Sequence, residues 1–444
     1  MMDPQKGSNS EQASLADFLS RRERLLGKNA PLFYDTPLHL VRGEGVYLYD
    51  AEGNQYLDVY NNVPNVGHCH PKVVAALTQQ ASTLNIHTRY LHHTILDYAE
   101  SLTNTMCSSL SSVMFTCTGS EANDLALRIA RQATGSLGVI CTDETYHGNT
   151  AAVDQLATLF NGGKPRGPHV KSVPFPDTYR PPIEWDANDL CDRYLVSIDR
   201  AIAELEEEGL GVAAVLLCPI FANEGVPTVP PGYLQGVVDR VRARGGLVIF
   251  DEVQSGFGRT GNMWGYECAG VIPDIVTLGK PMGNGHPIAG VVAPTDLINA
   301  FRGDVMYFNT FGGNPVSCAV AQAVLDVIQE EQLVKNAEEV GAYLRSGLRA
   351  LQQRHDILGD VRGPGLFIGA ELVCDKSARR PATETARLVV NKMKDRKILI
   401  SKIGRFDNIL KIRPPVIFSK SNADQLLETL DEVLIEVQRD GVLK

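Results

Sequence analysis

The sequence predicts an α/β fold in which a large domain carries a mostly parallel β-sheet and a smaller α+β domain is drawn from both chain ends. Short β-rich runs alternate with helical stretches through the middle of the 444 residues, a pattern typical of a parallel sheet covered by helices. A hairpin pattern precedes this region, and long helical stretches with few strand-like runs follow it. The apolar content of 44% is sufficient for more than one domain.

The order of these elements sets the predicted domain boundaries. We expect a disordered polar lead-in over residues 1–14, the first part of the small domain over 15–65, and the large domain over 66–315. Residues 316–444 are expected to complete the small domain. Within the first part, VRGEGVYLYDAEGNQYLDVYNNV has two β-like runs around the turn AEGN, which predicts a hairpin.

Alternating strands and helices are predicted for the large domain. The β-rich runs occupy residues 113–117, 139–141, 212–218, 247–251 and 274–279. The helical stretches between them occupy residues 120–135, about 189–209, and 232–246. In open α/β sheets ligands bind at the carboxyl ends of the strands, so the chemistry is expected there.

The C-terminal region predicts longer helices and fewer strands. Its helical stretches occupy residues 316–331, 333–355 and 423–440, and its strand candidates occupy residues 365–373 and 409–418. Such a combination of long helices and a few strands is typical of an α+β unit.

Composition limits the classes of function and the compartment. A formal net charge of −10 without a dense basic run argues against a nucleic-acid or anionic-membrane surface. The nine cysteines are scattered singly, as is typical of reduced thiols in a cytoplasmic protein. The sequence has no run of about 18 apolar residues and no apolar secretory stretch at its start. We therefore expect a cytoplasmic protein that binds anions only where positive charge is locally focused.

The first polar strand end follows the strand at 113–117, which runs into TGSEAN. Gly119 and Ser120 stand just before a helix, whose free N–H groups and positive dipole end can hold a phosphate. Glu121 in the first turn is equally what helix capping would select. A phosphate site and a plain helix cap stay open as alternatives.

Two further strand ends carry polar residues. The strand at 139–141 leads to Tyr146 and His147, where an aromatic ring can lie on a planar ligand or pack on its own domain. The strand at 247–251 ends in Asp251. A carboxylate at the end of an apolar strand is costly unless a cationic group faces it, so a cationic partner is expected.

Lys280 is the candidate partner of Asp251, because it closes the strand at 274–279. The glycines and the proline around it leave little bulk beside the amine. A lysine enclosed by backbone is partly desolvated, which favours the neutral amine that Schiff-base chemistry needs. The ordinary alternative is a strand-end lysine that extends to solvent.

Two other patterns suggest sites but lack the context that would support them. GFGRTG has the glycine spacing of a dinucleotide-binding loop, but DEVQS separates the strand from Gly256, and no clear helix opens after Gly261. A dinucleotide-dependent oxidoreductase is therefore a distant alternative. GHCH at 67–70 has no second Cys/His pair at ligand spacing, so no metal site is predicted.

Seven motifs follow one another from about Pro31 onward: NVGHCHP, TGSEAN, YHG, FDEVQSGFGRTG, TLGKPMGNG, NTFGGNP and KIRPP. In this order they resemble the motifs of the class III, or omega, aminotransferase family of fold type I pyridoxal-phosphate enzymes. The resemblance implies pyridoxal 5′-phosphate as cofactor and a fold type I transferase architecture.

The resemblance also implies the roles of individual residues. Lys280 would form the Schiff base with the cofactor, and Asp251 would pair with the pyridinium nitrogen. The other contacts would come from Tyr146 and Val253 on the two ring faces, Gln254 near the ring hydroxyl, Gly119 and Ser120 at the cofactor phosphate, and Thr310 reaching that phosphate from the neighbouring subunit. The role of Thr310 implies a homodimer with shared active sites. Reasoning from chemistry agrees, since Asp251 would keep the ring nitrogen protonated and Lys280 would remove the Cα proton.

Within the family, three segments resemble the ethanolamine-phosphate and phosphohydroxylysine phospho-lyases: residues 89–99, 279–287 and 307–320. This resemblance implies elimination of phosphate from O-phosphoethanolamine, or a related phosphorylated amine, to give an aldehyde, ammonia and phosphate. The cofactor residues are common to elimination and transamination. An omega-aminotransferase that moves a terminal amine to a keto acid therefore stays the alternative.

One position departs from the aminotransferase pattern. Many relatives carry a glutamate followed by proline after the strand at 212–218, where this chain has Cys218 and Pro219. That glutamate commonly holds the substrate-binding arginine aside for a second substrate that lacks an α-carboxylate. A lyase has one substrate and needs no such switch, although some phospho-lyases keep the glutamate.

A dianionic substrate phosphate needs charge-assisted donors of its own. Arg413 in KIRPP matches the family's carboxylate-binding arginine and is the first candidate. Lys402 and Arg89 are the other basic residues in segments expected to border the site, with Arg405 and His70 behind them. For these four, a surface or structural role is an equal alternative.

Overall fold

A computed structural model describes residues 15–182, 185 and 189–439 of the chain. The lead-in predicted over residues 1–14 lies outside the described residues. Three sheets organise the described part, with seven, five and four strands. Within it, no helix combines the length and the apolar character needed to cross a bilayer.

The strands of the described residues are numbered in chain order. They are β1 (Leu40–Glu44), β2 (Tyr47–Asp50), β3 (Gln55–Asp58), β4 (Ser112–Thr116), β5 (Gly138–Thr142), β6 (Val170–Val173), β7 (Val212–Leu217), β8 (Leu247–Asp251), β9 (Ile275–Leu278), β10 (Ala289–Ala293), β11 (Leu358–Arg362), β12 (Ile368–Asp375), β13 (Arg380–Pro381), β14 (Ile398–Leu399), β15 (Ser401–Ile403) and β16 (Ile409–Ile412).

The α-helices of the same residues are numbered likewise. They are α1 (Leu15–Leu26), α2 (Pro71–Thr83), α3 (His93–Thr103), α4 (Gly119–Thr134), α5 (Leu190–Glu207), α6 (Tyr233–Ala243), α7 (Gly265–Ala269), α8 (Thr295–Asp304), α9 (Pro315–Glu330), α10 (Leu333–Arg354), α11 (Thr383–Asp395) and α12 (Lys420–Arg439).

The seven-stranded sheet has the order β4-β10-β9-β8-β7-β5-β6. From β9 to β6 all neighbours are parallel, while β10 runs antiparallel to both β4 and β9. Every residue of β5, β7, β9 and β10 is buried, as expected of strands that helices cover on both faces. The predicted α/β fold with a mostly parallel sheet is confirmed.

The alternation of side chains along β7 shows how the two faces are filled. Ala214 and Leu216 belong to an apolar cluster with residues of α4 and α8, such as Ile129. Val215 and Leu217 point the other way, into the cluster that holds residues of α5 and α6. Because successive strand residues face opposite sides, one continuous apolar run supplies two cores.

Both ends of the chain meet in the four-stranded sheet β1-β2-β3-β14. β2 and β3 form the hairpin predicted around AEGN, and β1 adds a strand that was not predicted. β14 pairs parallel with β3 and sets Ile398 opposite Leu57. The five-stranded sheet, β11-β12-β16-β15 with β13 on β12, comes wholly from the C-terminal region. The domain boundaries at 65/66 and 315/316 stay predictions.

Some element boundaries differ from the sequence predictions for identifiable reasons. The strand predicted over 409–418 ends at Ile412, because Pro414 and Pro415 cannot donate to a ladder. β10 was not predicted, since its sequence AGVVA is weakened as a strand pattern by glycine and alanine. The helix predicted over 120–135 is found as α4, and Gly135 terminates it in the left-handed conformation.

Candidate active site

The carboxyl ends of five strands open on one edge of the central sheet. β5, β7, β8 and β9 are parallel, and β4 runs in the same direction because β10 is antiparallel to both β4 and β9. This edge encloses a cavity of about 110 Å³. The cavity is lined by Gly119, Ser120, Tyr146, His147, Gly148, Cys218, Asn223, Asp251, Val253, Gln254 and Lys280.

Seven of the eight residues that the resemblance assigned to the cofactor line this one cavity. They come from four different strand ends, and Tyr146 also packs edge-on against Phe160, with ring centroids 5.4 Å apart. Thr310, the eighth, lies exposed in the segment between α8 and α9 and does not line the cavity of its own chain.

Asp251 at the end of β8 is buried and held at both carboxylate oxygens. Its Oδ2 accepts hydrogen bonds from His147 Nδ1 at 2.7 Å and from Asn123 Nδ2 at 3.0 Å. Its Oδ1 accepts from the amide of Val253 at 3.0 Å. These donors fix the carboxylate at the floor of the cavity, where it can pair with a protonated ring nitrogen.

Sequence reasoning missed the part played by Asn123. Its side chain is fully buried on α4; Nδ2 also donates to the carbonyl of His147 at 2.7 Å, and Oδ1 accepts from Thr277 Oγ1 at 2.6 Å. One side chain thus ties α4 to β8, β9 and the loop after β5. A polar residue on the apolar face of the predicted helix was the signal that could have found it.

Lys280 follows β9 and lines the cavity. Its backbone is left-handed, with a φ of 26°. A non-glycine residue in this region is strained, and such strain occurs at functional sites. The side chain reaches open space in the cavity, but the surrounding protein desolvates the amine and lowers its pKa. The charge of Arg413 lowers the pKa further, whereas Asp251 opposes the shift. The neutral form of the amine is therefore more accessible than in an ordinary lysine.

The N-terminus of α4 carries a cap and still faces the cavity. Thr118 Oγ1 accepts from the Glu121 amide at 3.1 Å, while Glu121 Oε2 accepts from the Thr118 amide at 2.9 Å. This capping box engages Glu121, whereas Gly119 and Ser120 line the cavity. The helix cap is therefore present and leaves Gly119 and Ser120 facing the cavity, where the phosphate site stays a prediction. A Cβ atom at Gly119 would lie 3.0 Å from Val253 Cγ2, so glycine keeps this approach open.

Arg413 borders the site through Gln254, which lines the cavity. Arg413 is buried; its Nε donates to the Tyr60 carbonyl at 3.0 Å, and its Nη1 donates to Gln254 Oε1. Among the described residues no carboxylate forms an ion pair with it. Burial lowers the pKa of this guanidinium.

The remaining basic candidates lie outside the cavity lining and have partners of their own. Lys402 Nζ pairs with Asp407 Oδ2 at 2.6 Å, Arg89 Cζ lies 3.8 Å from the centroid of the Phe308 ring, Arg405 pairs with Asp143 and Glu144, and His70 Nε2 lies 3.2 Å from Glu331 Oε1.

Cys218 follows β7 and lines the cavity close to Lys280. Burial raises the pKa of its thiol, which keeps it neutral. Glu224, which was not predicted, is buried nearby, and its Oε1 accepts from Thr142 Oγ1 at 2.6 Å. Among the described residues, Glu224 thus has hydrogen-bond donors other than Arg413.

GFGRTG and GHCH, the two motifs that suggested a dinucleotide site and a metal site, have structural explanations. A Cβ atom at Gly256 would lie 3.0 Å from the Trp264 ring, and the next helix, α7, begins only at Gly265. The glycines of GFGRTG therefore serve close packing. In GHCH, His68 Nε2 pairs with Asp58 Oδ2 at 2.7 Å. Across the described ranges, no group of three or more His, Cys, Asp or Glu residues is arranged to hold a metal ion.

The donor set of the cavity fits pyridoxal phosphate. Asp251 would offer an anchored carboxylate to the ring nitrogen, Lys280 an amine with a lowered pKa, and the start of α4 free N–H groups to the phosphate. Tyr146 and Val253 line the same cavity and are available to the two ring faces.

Comparison with known proteins agrees with this geometry. The sequence profile of the Aminotransferase class-III family matches residues 33–434. A Drosophila melanogaster protein named alanine–glyoxylate aminotransferase 2-like is 43% identical over 97% of this chain and 89% of its own length. A Caenorhabditis elegans protein named ethanolamine-phosphate phospho-lyase homolog 1 is 37% identical over 98% of this chain and 97% of its own.

Among solved structures, a phospholyase from Arthrobacter in complex with phosphoethanolamine has a TM-score of 0.91 and 47% sequence identity, covering 94% of this chain and 99% of that one. A transaminase from the marine bacterium Virgibacillus has a TM-score of 0.83 at 26% identity, covering 95% and 96%. The chain therefore belongs to the class-III aminotransferase family, has the fold type I architecture, and takes pyridoxal phosphate as its cofactor.

Proposed function

We propose that the chain is a phospho-lyase that eliminates phosphate from O-phosphoethanolamine or a related phosphorylated amine. The observation that carries the proposal is the state of Arg413. This buried guanidinium borders the cavity, and it donates hydrogen bonds to the carbonyl of Tyr60 and the side chain of Gln254, both neutral. A buried cation held by neutral groups favours an anionic ligand.

Cys218 supports the same conclusion. It occupies the carboxyl end of β7, where an acidic side chain in many relatives can neutralise the arginine. Burial keeps the thiol of Cys218 neutral, so it cannot compete with a substrate for Arg413. The positive charge of Arg413 is therefore not neutralised by this position. That suits a lyase with one dianionic substrate better than an aminotransferase that binds two substrates of different charge in turn.

The comparisons also support this proposal. The solved phospholyase from Arthrobacter, at 47% identity, holds phosphoethanolamine. The Caenorhabditis elegans relative carries a phospho-lyase name and matches nearly the full length of both chains.

The chemistry requires proton removal next to the amine and departure of the phosphate. Bound pyridoxal phosphate supplies the electron sink that acidifies this C–H bond. Asp251 would hold the proton at the ring nitrogen, and the amine of Lys280 would take the proton from the substrate carbon. The bonding pair of the C–O bond leaves with the phosphate, whose charge Arg413 would stabilise. Water completes the reaction to aldehyde and ammonia, so no keto acid is consumed.

The decisive experiment incubates the holoenzyme with O-phosphoethanolamine and no keto acid. We expect equal amounts of inorganic phosphate and acetaldehyde, and no stimulation by pyruvate or 2-oxoglutarate. Lys280→Ala should abolish both products and the visible absorbance band that borohydride removes from the wild-type enzyme.

The second candidate is an aminotransferase, which the 43% identity to the Drosophila melanogaster relative favours. Amine transfer to pyruvate without release of phosphate would establish that activity and contradict the lyase.

A further inference from the structure

β16 carries a second buried basic residue, Lys411, beside Arg413. Leu410 and Ile412 lie in the apolar core, so the alternation of the strand turns Lys411 and Arg413 to the opposite face. Both basic groups meet the same ring. Lys411 Nζ and Arg413 Cζ each lie 5.9 Å from the centroid of Phe367.

Lys411 has no hydrogen-bond acceptor in the described part of the chain. It is 4% exposed, and within residues 15–182, 185 and 189–439 neither an ion pair nor a hydrogen bond engages its amine, which lies over the ring of Phe367. An ammonium group buried without an acceptor carries an uncompensated desolvation cost. Burial accordingly holds the pKa of Lys411 well below its ordinary range, and the charges of Arg413 and Lys280 lower it further.

The nearby carboxylate does not offset this charge by contact. Glu224 raises the pKa of Lys411 through its charge, but its own hydrogen bonds go elsewhere: Oε1 accepts from Thr142 Oγ1 at 2.6 Å, and Oε2 accepts from the Asn223 amide at 3.0 Å. Lys411, Arg413 and Lys280 thus form a cluster of basic side chains beside the cavity.

We propose that Lys411 acts with Arg413 as the subsite for the phosphate of the substrate. The inference rests on the proposed function and names a residue that the sequence did not single out. A dianion placed between the two side chains would supply the acceptor that Lys411 lacks.

The cofactor phosphate is an unsuitable occupant for this subsite. Its predicted site is the start of α4, after β4, whereas the groups that act on Lys411 include Cys218 and Glu224, which follow β7. β10, β9 and β8 separate these two strands in the sheet. Lys411 and Arg413 therefore lie toward the β7 side of the site, and the predicted cofactor-phosphate site lies at the β4 side.

The test compares Lys411→Met and Lys411→Arg with Lys335→Met, which alters an exposed lysine on α10. Dissociation constants of the holoenzymes for phosphoethanolamine and for ethanolamine are read from the cofactor absorbance, and inorganic phosphate is titrated as a competitor. Lys411→Met should raise the dissociation constants for phosphoethanolamine and for inorganic phosphate about 10- to 100-fold, because it removes one charge-assisted contact. The dissociation constant for ethanolamine should change by less than about twofold. Lys411→Arg should recover most of the lost affinity for phosphoethanolamine, and Lys335→Met should bind all three ligands as the wild type does.

Equal losses for phosphoethanolamine and ethanolamine, or no loss for either, would overturn the assignment. If Lys411→Met fails to fold, the wild-type holoenzyme still provides a test. Inorganic phosphate should slow acylation of Lys411 by a small amine-reactive reagent, as measured by peptide mass spectrometry, and unchanged labelling would contradict the subsite.

The inference and the proposed function can fail separately. Phosphate release by wild type, with the same KM in Lys411→Met, would leave the lyase standing and remove Lys411 from the subsite. The opposite result is selective binding of phosphoethanolamine that depends on Lys411, without phosphate release. It would retain the anion subsite and reject the lyase.

Discussion

At the scale of single residues, the reactivity of Lys280 depends on the charges around it. Burial and the positive charge of Arg413 lower the pKa of its amine, whereas Asp251 raises it. Removal of a neighbouring positive charge should therefore raise this pKa, and removal of the negative charge should lower it further.

This dependence is measurable in the cofactor-free protein. The rate at which an amine-reactive reagent labels Lys280, followed by mass spectrometry across pH, should rise through a pKa below the ordinary value of 10.5. Arg413→Gln should move the profile to higher pH, and Asp251→Asn should move it to lower pH. Exposed Lys335 in the same samples is the control. A Lys280 profile that coincides with it would show that burial does not activate the amine.

At the scale of elements, Gly148 joins the loop after β5 to the start of α4. Its φ is 144°, and a Cβ atom there would lie 2.7 Å from the Cα of Ser120. The backbone of Ser120 belongs to the helix start that faces the cavity, so it cannot move without altering the predicted phosphate site. Glycine at this position lets two elements approach and shape one wall of the site.

We expect Gly148→Ala to lower both the melting temperature and the affinity for pyridoxal phosphate. Overpacking of this kind costs about 1–3 kcal/mol, in addition to backbone strain. Gly162→Ala is the matched control, because its φ is 61° but no atom lies within 4 Å of the added Cβ. It should lose about 1–2 kcal/mol of stability from strain and bind the cofactor normally. Equal cofactor affinity in the two variants would refute the role of the close contact.

At the scale of the whole molecule, one apolar surface surrounds Thr310. Arg89 stacks on Phe308 and so joins two segments, from which Leu91, Met306 and Phe311 project with 97%, 83% and 70% of their surfaces exposed. Large apolar patches of this kind on a folded protein mark interfaces. We expect a second copy to cover this surface and to bring its Thr310 to the cavity.

Light scattering should therefore give about twice the chain mass of 48.4 kDa. Phe311→Asp should raise the dimer dissociation constant at least about 30-fold and weaken cofactor binding, because a charge would be buried in the interface. Ile435→Asp alters an exposed apolar residue on α12 and should leave the mass unchanged. A wild-type monomer that binds the cofactor fully would contradict the shared site.

Local sequence patterns were sufficient to predict much of the fold and part of the candidate site. The alternation of strand-like and helical runs predicted the α/β fold, the polar residues at the strand ends indicated where the chemistry lies, and the resemblance carried by the ordered motifs indicated the cofactor. Lys280 and Asp251 could be singled out because each closes a short apolar strand, and parallel strands bring their carboxyl ends to one edge. Such features depend on residues that are close in sequence.

The sequence by itself therefore determined the fold class and which side chains stand at the strand ends. Only the tertiary structure decided which of several basic residues meet the cavity. Lys402 pairs with Asp407, whereas Lys411, nine residues further along the chain, is buried beside Arg413 with no acceptor among the residues that the structure describes. The physical reason is that burial and hydrogen-bond partners arise from contacts between distant segments, such as Arg413 with Gln254, and no local pattern encodes them.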